Sequence, residues 1–597
     1  MPYLCGLWRF ANAYVNLRFE RMNTMKEKLE KIKTNKFLPY IVTAIIGIYI
    51  ICNICGFVGK SLGGNYNWLV LPAKMFGMPD AISQYDKMEP IYKYNDGCGW
   101  DGQFYYYISN DLLGTKGYSN NVDAPSYRWQ RIGLPLIAKI VSMCLLKKQV
   151  SVLVYTMTNL LIVLLGFFCA IKYLKKINRT FMWAVPWVLS CGVMIVIRCG
   201  LPDAAADALF IMAFIFLLER KYIWYAIFMT MTCLSREGYV LIAFCIFIIF
   251  ILNKLKNFPF ICDRKIYLKN FFIIAMPGIF FLVWYLYVGL HFGVMPYKQA
   301  KGITNIYLVG WIQNLINAIS SNNYIQVVGL SFYLLVVVWS LIAAVRMGKK
   351  ICIYWGLIPY IILVSSFGDT VLCHWTGYLK GISVLYFLLP FMVLQYDNRF
   401  IVIEEEKNNK IENQKINITQ RMQMCLGVLL IFSVLMSYVY LNSWGGNILK
   451  VNYSYNPVEI SDGIQTIENY DCEFKVLSYD YNKFSRIPEK FVTPYAIANI
   501  SIKNNGNQIW SNIGNSEGNG AVKISYQIFQ NDKVVQEGDR YNLLKSVQPG
   551  EEMEREIFIS YPKEKGKYVV RISLIQEGVS WFYQQNIGYE DIEIQVK

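Results

Sequence analysis

Long apolar runs separated by short polar corners occupy the first three quarters of this chain. A helix needs about 20 mainly apolar residues to cross a bilayer. The runs that meet or approach this length predict about eleven membrane spans. They lie near residues 37–58, 150–173, 180–198, 203–219, 222–235, 238–254, 270–290, 325–345, 352–367, 377–396 and 422–442. The pattern therefore predicts an α-helical polytopic membrane domain over residues 37–442.

Beyond residue 450 the pattern changes to alternating apolar and polar positions. The stretches 522–529 and 567–575 each place an apolar residue at every second position, which is typical of strands with one buried face. Turn-forming residues separate such stretches, as in the segments 504–506, 530–532, 548–550 and 562–566. We predict an all-β sandwich domain over residues 443–597, about the size of one immunoglobulin-like domain with a lead-in.

The distribution of basic residues predicts how the chain is oriented. Lys and Arg cluster at 26–36, 172–179, 254–269 and 346–350, which the positive-inside rule assigns to the cytoplasm. Residues 1–36 are then a cytoplasmic segment, and both the loop 59–149 and the C-terminal domain lie outside. The net charge of +17 is thus a topology signal, and we expect no nucleic-acid partner. Charged residues are only 17% of the chain, whereas soluble domains have about 25%, so a multi-pass protein of the cell membrane is expected.

The outer loop 59–149 concentrates the polar chemistry of the chain. It contains YNDGCGWDGQFYYYISNDLLG and, further on, APSYRWQRIGLPLIA, with Asp96, Asp101, Arg128 and Arg131. Apolar residues at helical spacing predict a short surface helix that begins at or just after Asp101. A second short apolar helix is expected to begin at Arg131. A membrane domain does not need these charges in order to fold, which favours a functional site.

Three further outer corners carry charged or polar side chains. Asp203 follows Pro202 and precedes an alanine-rich helix, so its predicted role is that of a helix N-cap. Arg236 and Glu237 are adjacent at a membrane boundary, where they form either an interfacial ion pair or part of the site. His374 and Lys380 lie in the last of these corners.

A reaction at this surface has no nucleotide sugar available, so a lipid-linked donor is the natural activated substrate. Asp101 can accept a proton from an acceptor hydroxyl, and Asp96 is the alternative acid. Arginine binds phosphate through its planar fork. The aromatic residues Tyr105, Tyr106, Tyr127 and Trp129 are predicted to offer ring faces to a sugar. The opposing interpretation is structural, with Asp101 as a helix cap or turn residue and YRWQR as an interfacial anchor.

GWDGQFYYYISND followed by YRWQRIGLPLIA resembles a bacterial family of multispanning proteins implicated in cell-surface glycopolymer formation, itself similar to GT-C glycosyltransferases. The resemblance covers residues 94–138, and SREGY and LPDAAADAL resemble two further corners of that family. It implies an inverting, metal-independent glycosyltransferase without cofactors, which uses a polyprenyl-phosphate sugar donor and a surface glycan or glycolipid acceptor. Asp101 is the matching catalytic acid. The substrate-binding residues expected around it are Asp96, Gln103, Tyr106, Tyr127, Arg128, Gln130, Arg131, Asp203, Arg236, Glu237, His374 and Lys380.

The C-terminal segments ISIKNNGNQIW and GKYVVRISLIQEGVSWF resemble an immunoglobulin-like module found beside bacterial polysaccharide enzymes. Trp581 and Phe582 there either stack on carbohydrate or, as is more common for aromatics at a strand end, belong to the core. The chain has two histidines and scattered cysteines, which argues against a zinc site. Cys98 and Cys472 are both expected outside and could pair.

Two other functions fit the sequence. A glycolipid transporter or flippase is expected to carry charged residues in the middle of several spans, and these spans have few. A non-catalytic surface-glycan assembly protein would depend mainly on its β-domain.

Overall fold

A computed structural model describes residues 36–255, 264–300, 302–404, 409–444, 446–455 and 464–596. The predicted cytoplasmic segment 1–36 lies outside the described residues except for Lys36. A helical part is followed by an all-β part, as predicted. The α-helices are α1 Leu38–Ser61, α2 Asp80–Asp86, α3 Gly102–Asn110, α4 Pro125–Trp129, α5 Gly133–Cys144, α6 Val152–Lys176, α7 Val185–Val188, α8 Cys191–Arg198, α9 Asp203–Leu218, α10 Tyr222–Ser235, α11 Val240–Leu255, α12 Arg264–His291, α13 Pro296–Gln299, α14 Val309–Ser320, α15 Tyr324–Gly348, α16 Ile358–Ser365, α17 Asp369–Leu372, α18 Trp375–Gly381, α19 Leu385–Glu404, α20 Asn409–Ser443 and α21 Ile448–Asn452.

Six helical stretches within the described ranges are long and apolar enough to cross a membrane. The bent pair Phe181–Val188 and Cys191–Arg198, with an angle of 48°, raises the number to seven if it forms one span. The six stretches are Leu38–Ser61, Val152–Lys176, Leu268–His291, Tyr324–Gly348, Trp375–Gln395 and Gln423–Asn442. A multi-pass membrane architecture is therefore consistent with the fold.

The predicted count of about eleven spans is not confirmed. The other four predicted spans are short helices, among them α9 with 16 residues and α10 with 14. At about 1.5 Å per residue, a 16-residue helix is about 24 Å long, which is less than the hydrocarbon core of about 30 Å. Almost every residue of α9 is buried. A helix surrounded by other helices is apolar on all sides, so hydropathy alone does not distinguish it from a lipid-facing span.

The C-terminal domain has two sheets. One contains β1 Cys472–Tyr481, β2 Tyr495–Asn504 and β6 Glu552–Ser560 in the order β1-β2-β6. The strands of the second sheet are β3 Val522–Gln530, β4 Lys533–Glu537, β5 Tyr541–Asn542, β7 Gly566–Gln576, β8 Ser580–Trp581 and β9 Tyr589–Val596. Their order is β4-β3-β7-β8, with β5 paired to β3 and β9 paired to β7.

The alternating stretches at 522–529 and 567–575 form β3 and β7, which pair antiparallel. Their predicted inward residues are buried, as for Ile524 and Ile572. Trp581 and Phe582 are also buried, which agrees with the core interpretation. The sequence left open whether Cys98 and Cys472 pair, and both are free thiols in this structure.

The sandwich-like domain docks directly on the polar loop that follows α1. Arg486 donates hydrogen bonds to the carbonyl oxygens of Asp86, at 3.0 Å, and Lys87, at 2.6 Å. The hydroxyl of Tyr495 donates to the carbonyl of Gly63 at 3.1 Å. These contacts place the β-domain and the loop 59–149 on the same side of the helical part.

Candidate functional site

Asp101 lies at the N-terminus of α3, as predicted, but it does not cap the helix. Its side chain makes no capping hydrogen bond and instead pairs with Arg128, with Nη1 2.8 Å from Oδ2. The Asp101 side chain is 45% exposed, whereas that of Arg128 is only 9% exposed. The buried Arg128 therefore holds the Asp101 carboxylate in a position that remains accessible to solvent.

Arg128 is fixed from its other side by Asp123. The guanidinium donates from Nε to Oδ1 at 2.9 Å and from Nη2 to Oδ2 at 2.7 Å. This two-point geometry is the strong, orientation-fixing form of an arginine–carboxylate contact. Arg128 also lies over the ring of Phe104, 5.1 Å from its centroid. The side chain is held in one orientation by two carboxylates and an aromatic ring.

Arg131 forms the same kind of two-point contact with Glu237. Its Nε and Nη2 lie 2.7 and 2.6 Å from the Glu237 oxygens. It further donates to the hydroxyls of Tyr105 at 3.2 Å and Tyr127 at 2.5 Å. The loop 59–149 is thus joined to the corner after α10, which is far away in sequence.

Arg236 connects that corner to α9. Its Nε lies 3.3 Å from an Asp203 carboxylate oxygen, and its Nη1 lies 3.7 Å from an Asp207 carboxylate oxygen. Nη1 is buried and donates no hydrogen bond to a described residue. Asp207 accepts hydrogen bonds from the hydroxyls of Tyr239, at 2.6 Å, and Ser383. The predicted N-cap role of Asp203 is wrong, because Pro202 occupies the cap position and Asp203 is the first helical residue. Its carboxylate serves the ion pair with Arg236 instead.

Lys380 has no hydrogen bond or ion pair to any described residue through its ammonium group, and its residue is half-buried. Its charge nevertheless acts on both Asp101 and Asp203. Ser383, three residues later, donates to the carbonyl oxygen of Lys380 at 2.8 Å and also contacts Asp207. Among the described residues, the Lys380 ammonium group therefore has no ion-pair partner, although its charge acts on two carboxylates.

Three glycines allow these segments to approach closely. A Cβ on Gly102 would lie 1.8 Å from the carbonyl oxygen of Cys199, and one on Gly133 would lie 2.2 Å from the Ser235 hydroxyl. A Cβ on Gly192 would lie 2.9 Å from the Cα of Lys380. Backbone contacts that no larger residue permits therefore bring Asp101, Arg236 and Lys380 to one end of the helical part.

Opposing effects act on the pKa of Asp101. Partial desolvation raises the pKa of this carboxyl, but the positive charges of Arg128 and Lys380 lower it by more, with a further contribution from Arg131. The net pKa lies below the ordinary value of about 4. Asp101 is consequently ionised at neutral pH and able to accept a proton.

An aromatic cluster adjoins Asp101 through the neighbouring Trp100, and it consists of the half-buried Trp100 and Trp444 and the buried Phe57 and Trp375. Trp100 lies 5.2 Å from Trp444 between ring centroids, and Phe57 lies 6.0 Å from Trp100. Trp375, which begins the helix that carries Lys380, lies 6.4 Å from Trp444. An aromatic wall therefore extends from Asp101 towards the helix of Lys380.

Several predicted site residues are not in this cluster. Asp96 is exposed and has no hydrogen bond or ion pair to a described residue. Gln103 holds the loop, since it donates to the carbonyls of Cys98 and Trp100 and accepts from the Ala73 amide. Three more lie outside the cluster. The hydroxyl of Tyr106 donates to Asp86, and Gln130 is buried. The Nδ1 atom of His374 accepts from the Thr376 amide and so caps α18.

The four aromatic residues predicted to offer sugar-stacking faces are buried, namely Tyr105, Tyr106, Tyr127 and Trp129. Conversely, four residues of the cluster were not predicted from the sequence, namely Asp123, Asp207, Trp100 and Trp444. Trp100 has a signal in the sequence, because it directly precedes Asp101. Asp123 lies five residues before Arg128, a spacing that no regular element explains, so only the folded loop identifies it.

An apolar groove of about 560 Å³ lies elsewhere, between α1 and α6. Residues such as Tyr40, Ile48, Leu161 and Phe168 line it. None of the charged residues of the site contributes to its walls.

No protein-family model matches the chain, and a search of curated proteins finds no similar sequence.

Proposed function

We propose that the protein is a membrane glycosyltransferase that moves a sugar from a polyprenyl-phosphate-linked donor to a cell-surface glycan or glycolipid. The observation that carries the proposal is the accessible, ionised Asp101 carboxylate, whose pKa is lowered by the charge of Lys380, a cation with no ion pair to a described residue. A base and a free cation are the two groups that transfer from a sugar phosphate requires. The resemblance of residues 94–138 to GT-C-like proteins supports the same conclusion.

In the proposed reaction, Asp101 accepts the proton of the acceptor hydroxyl. The acceptor oxygen forms a bond to the anomeric carbon, and the bond from that carbon to the phosphate oxygen breaks in the same displacement. The sugar inverts at the anomeric carbon, and the lipid phosphate leaves with the bonding electrons. Lys380 stabilises the negative charge on the phosphate. Trp100 and Trp444 offer ring faces for the sugar.

Arg128, Arg131 and Arg236 are engaged with carboxylates. We therefore assign the first phosphate contact to Lys380. The arginines then hold Asp101 and the surrounding loops in place and shape the electrostatic field around the phosphate.

The proposed location of the reaction is the extracytoplasmic face of the cell membrane. The distribution of basic residues supports this side for the loop 59–149. The β-domain contacts that loop and would lie on the same face. An inside N-terminus and an outside C-terminal domain require an odd number of spans, which a total of seven satisfies.

The decisive test uses the full-length protein in phospholipid vesicles with a panel of undecaprenyl-phosphate monosaccharides. Asp101→Asn should lower the rate of sugar transfer by about 100-fold or more, because a positioned base contributes about 10²–10⁴. Asp96→Asn is the matched control and should keep the wild-type rate. Full activity of the Asp101 variant would remove the proposed mechanism.

Lys380→Gln tests the phosphate contact. The loss of one positive charge at the donor should raise KM for the lipid-phosphate donor by roughly 10-fold, about 1.4 kcal/mol, and leave KM for the acceptor unchanged. Lys298→Gln, an exposed lysine of an outer loop, is the control. An equal change in both Michaelis constants would argue against a phosphate role for Lys380.

Transport of a glycolipid is the alternative function. Transport would favour charged residues at mid-depth in several spans. In the six long spans the charged residues lie within about two turns of a helix end, which favours the transferase. A fluorescent glycolipid in vesicles distinguishes the two functions, since a flippase would move it across the bilayer without any change in its sugar.

The third function is non-catalytic assembly through the β-domain. Deletion of residues 450–597 would not distinguish assembly from sugar transfer. The sandwich supports the loop 59–149, which carries Asp101, through hydrogen bonds from Arg486 and Tyr495. The Asp101→Asn variant separates them, since an assembly protein would be unaffected by it.

A further inference from the structure

Helix α14, Val309–Ser320, lies outside the candidate site and packs on the protein with one narrow side. A Cβ on Gly310 would lie 2.4 Å from the carbonyl oxygen of Phe367. The amide of Asn314 donates to Asp369 at 2.8 Å, and Ala318 is buried. These three residues recur every fourth position and define the protein-facing side of the helix.

The rest of the helix surface divides into two chemically different parts. Ile312, Ile316 and Ile319 are exposed, with Ile316 at 59%. Exposed residues of the other part are polar, namely Gln313, Asn317 and Ser320. At about 100° per residue, the isoleucines are centred about 170° from the protein-facing side, and the polar residues follow about 100° further round. The helix therefore has a protein side, an apolar side and a polar side.

The apolar side continues into a membrane-spanning surface. Only residues 321–323 separate α14 from α15, which is one of the six candidate spans. At the beginning of that span, Tyr324, Ile325 and Val328 are exposed apolar residues, as expected for a helix facing lipid. The isoleucines of α14 are thus only a few residues from the exposed apolar start of a candidate span.

We propose that α14 is an in-plane amphipathic helix embedded in the membrane leaflet nearest the candidate site. Its isoleucines contact the acyl chains, its polar side faces water, and its third side rests on the segment before Lys380. Such three-way contact is what a helix at the polar–apolar boundary requires. The helix contains no Lys or Arg, so its membrane contact rests on apolar burial and is independent of anionic lipid. The placement does not depend on the proposed transferase activity.

The test compares two neighbouring positions in the full-length protein in nanodiscs of phosphatidylcholine. A photo-crosslinking phenylalanine analogue replaces Ile316 in one variant and Asn317 in the other. After illumination, mass spectrometry of the α14 peptide should show phosphatidylcholine adducts at position 316 and several-fold fewer at position 317. Replacement of a third of the lipid by phosphatidylglycerol should leave that ratio unchanged.

Three outcomes would overturn the proposal. Equal lipid labelling at the two positions would show that α14 has no lipid-facing side. Adducts from position 316 to a second copy of the chain would make this face a protein interface. A strong rise in labelling with phosphatidylglycerol would show an electrostatic attachment. If the variant at 316 does not fold, the analogue at Ile312 tests the same face.

Discussion

Asp101 and Arg128 differ in exposure, and this difference determines what each side chain can do. Arg128 is buried, paired with Asp123 through two hydrogen bonds and with Asp101 through one. A buried arginine with two carboxylates is satisfied and immobile, whereas Asp101 keeps one carboxylate oxygen that makes no hydrogen bond to a described residue. Asp123 therefore positions Arg128, and Arg128 positions Asp101, the proposed base.

This arrangement predicts the effect of Asp123→Asn. The loss of the charged two-point contact should allow Arg128 to rotate and misplace Asp101, and we expect kcat to fall by about 10- to 100-fold with little change in KM. Asp123→Glu should recover part of the rate, because it restores a carboxylate. Asp80→Asn, at an exposed helix start, is the control. A wild-type kcat in the Asp123→Asn variant would contradict a positioning role.

The lowered pKa of Asp101 predicts the pH dependence of transfer. The ionised carboxylate is the active form, so activity is retained above the folded-state pKa and lost only as pH falls through it. Because that pKa lies below about 4, the rate of transfer measured between pH 5 and 8 should show no acid limb from this residue. An acid limb near pH 6 in the wild type would indicate a different base.

At the scale of elements, the site depends on contacts between backbones. Helix α3 begins at Gly102 against the segment at Cys199, and α5 begins at Gly133 against Ser235. The sequence correctly predicted α3 and α5, although α5 begins at Gly133 rather than Arg131, but it did not predict α2 and α4 of the same loop. Periodicity carries no information on which helices touch, so these close approaches were not predicted.

Gly102→Ala tests the contact between α3 and the Cys199 segment. The added Cβ would meet a backbone oxygen at 1.8 Å, so one of the two segments must shift. Overpacking of this kind costs about 1–3 kcal/mol, and we expect a lower Tm in detergent together with a loss of transfer. Gly56→Ala meets nothing within 4 Å and should leave Tm unchanged or raise it slightly. Equal Tm values for both variants would contradict the packing.

At the scale of the whole molecule, the β-domain supports the loop that carries the site. Arg486 donates a hydrogen bond to the carbonyl of Asp86, the last residue of α2, and Lys93 of the loop forms an ion pair with Glu556 of the sandwich at 2.7 Å. The two domains therefore act as one support for Asp101, although the sequence assigns them to separate units.

Arg486→Ala should loosen this support. The variant loses two hydrogen bonds to the carbonyls of residues 86 and 87, which at an exposed position are worth about 1–2 kcal/mol together. Hydrogen exchange at residues 80–93 should become faster, measured by mass spectrometry on the full-length protein. Lys490→Ala, an exposed lysine on a neighbouring turn, is the control. Unchanged exchange in the Arg486 variant would show that the loop is stable without the sandwich.

The sequence by itself determined the local features of this protein. Apolar runs and alternating strands follow from burial, which acts on each segment separately. They correctly predicted a helical part with several helices able to span a membrane, and the strands β3 and β7. The span count of about eleven that the same patterns predict is not confirmed, because a helix buried among helices is as apolar as one in lipid. The charged corners identified Asp101, Arg128, Arg131, Arg236 and Lys380 as candidates.

Only the tertiary structure decided which of those candidates meet. The carboxylate partners Asp123 and Asp207, the ring of Trp444 and the unpartnered state of Lys380 depend on contacts between segments distant in sequence. Long-range ion pairs and glycine contacts have no periodic pattern, so composition and spacing cannot reveal them. The sequence thus specified where charge occurs along the chain, and the fold determined which charges neutralise one another and which remain available for chemistry.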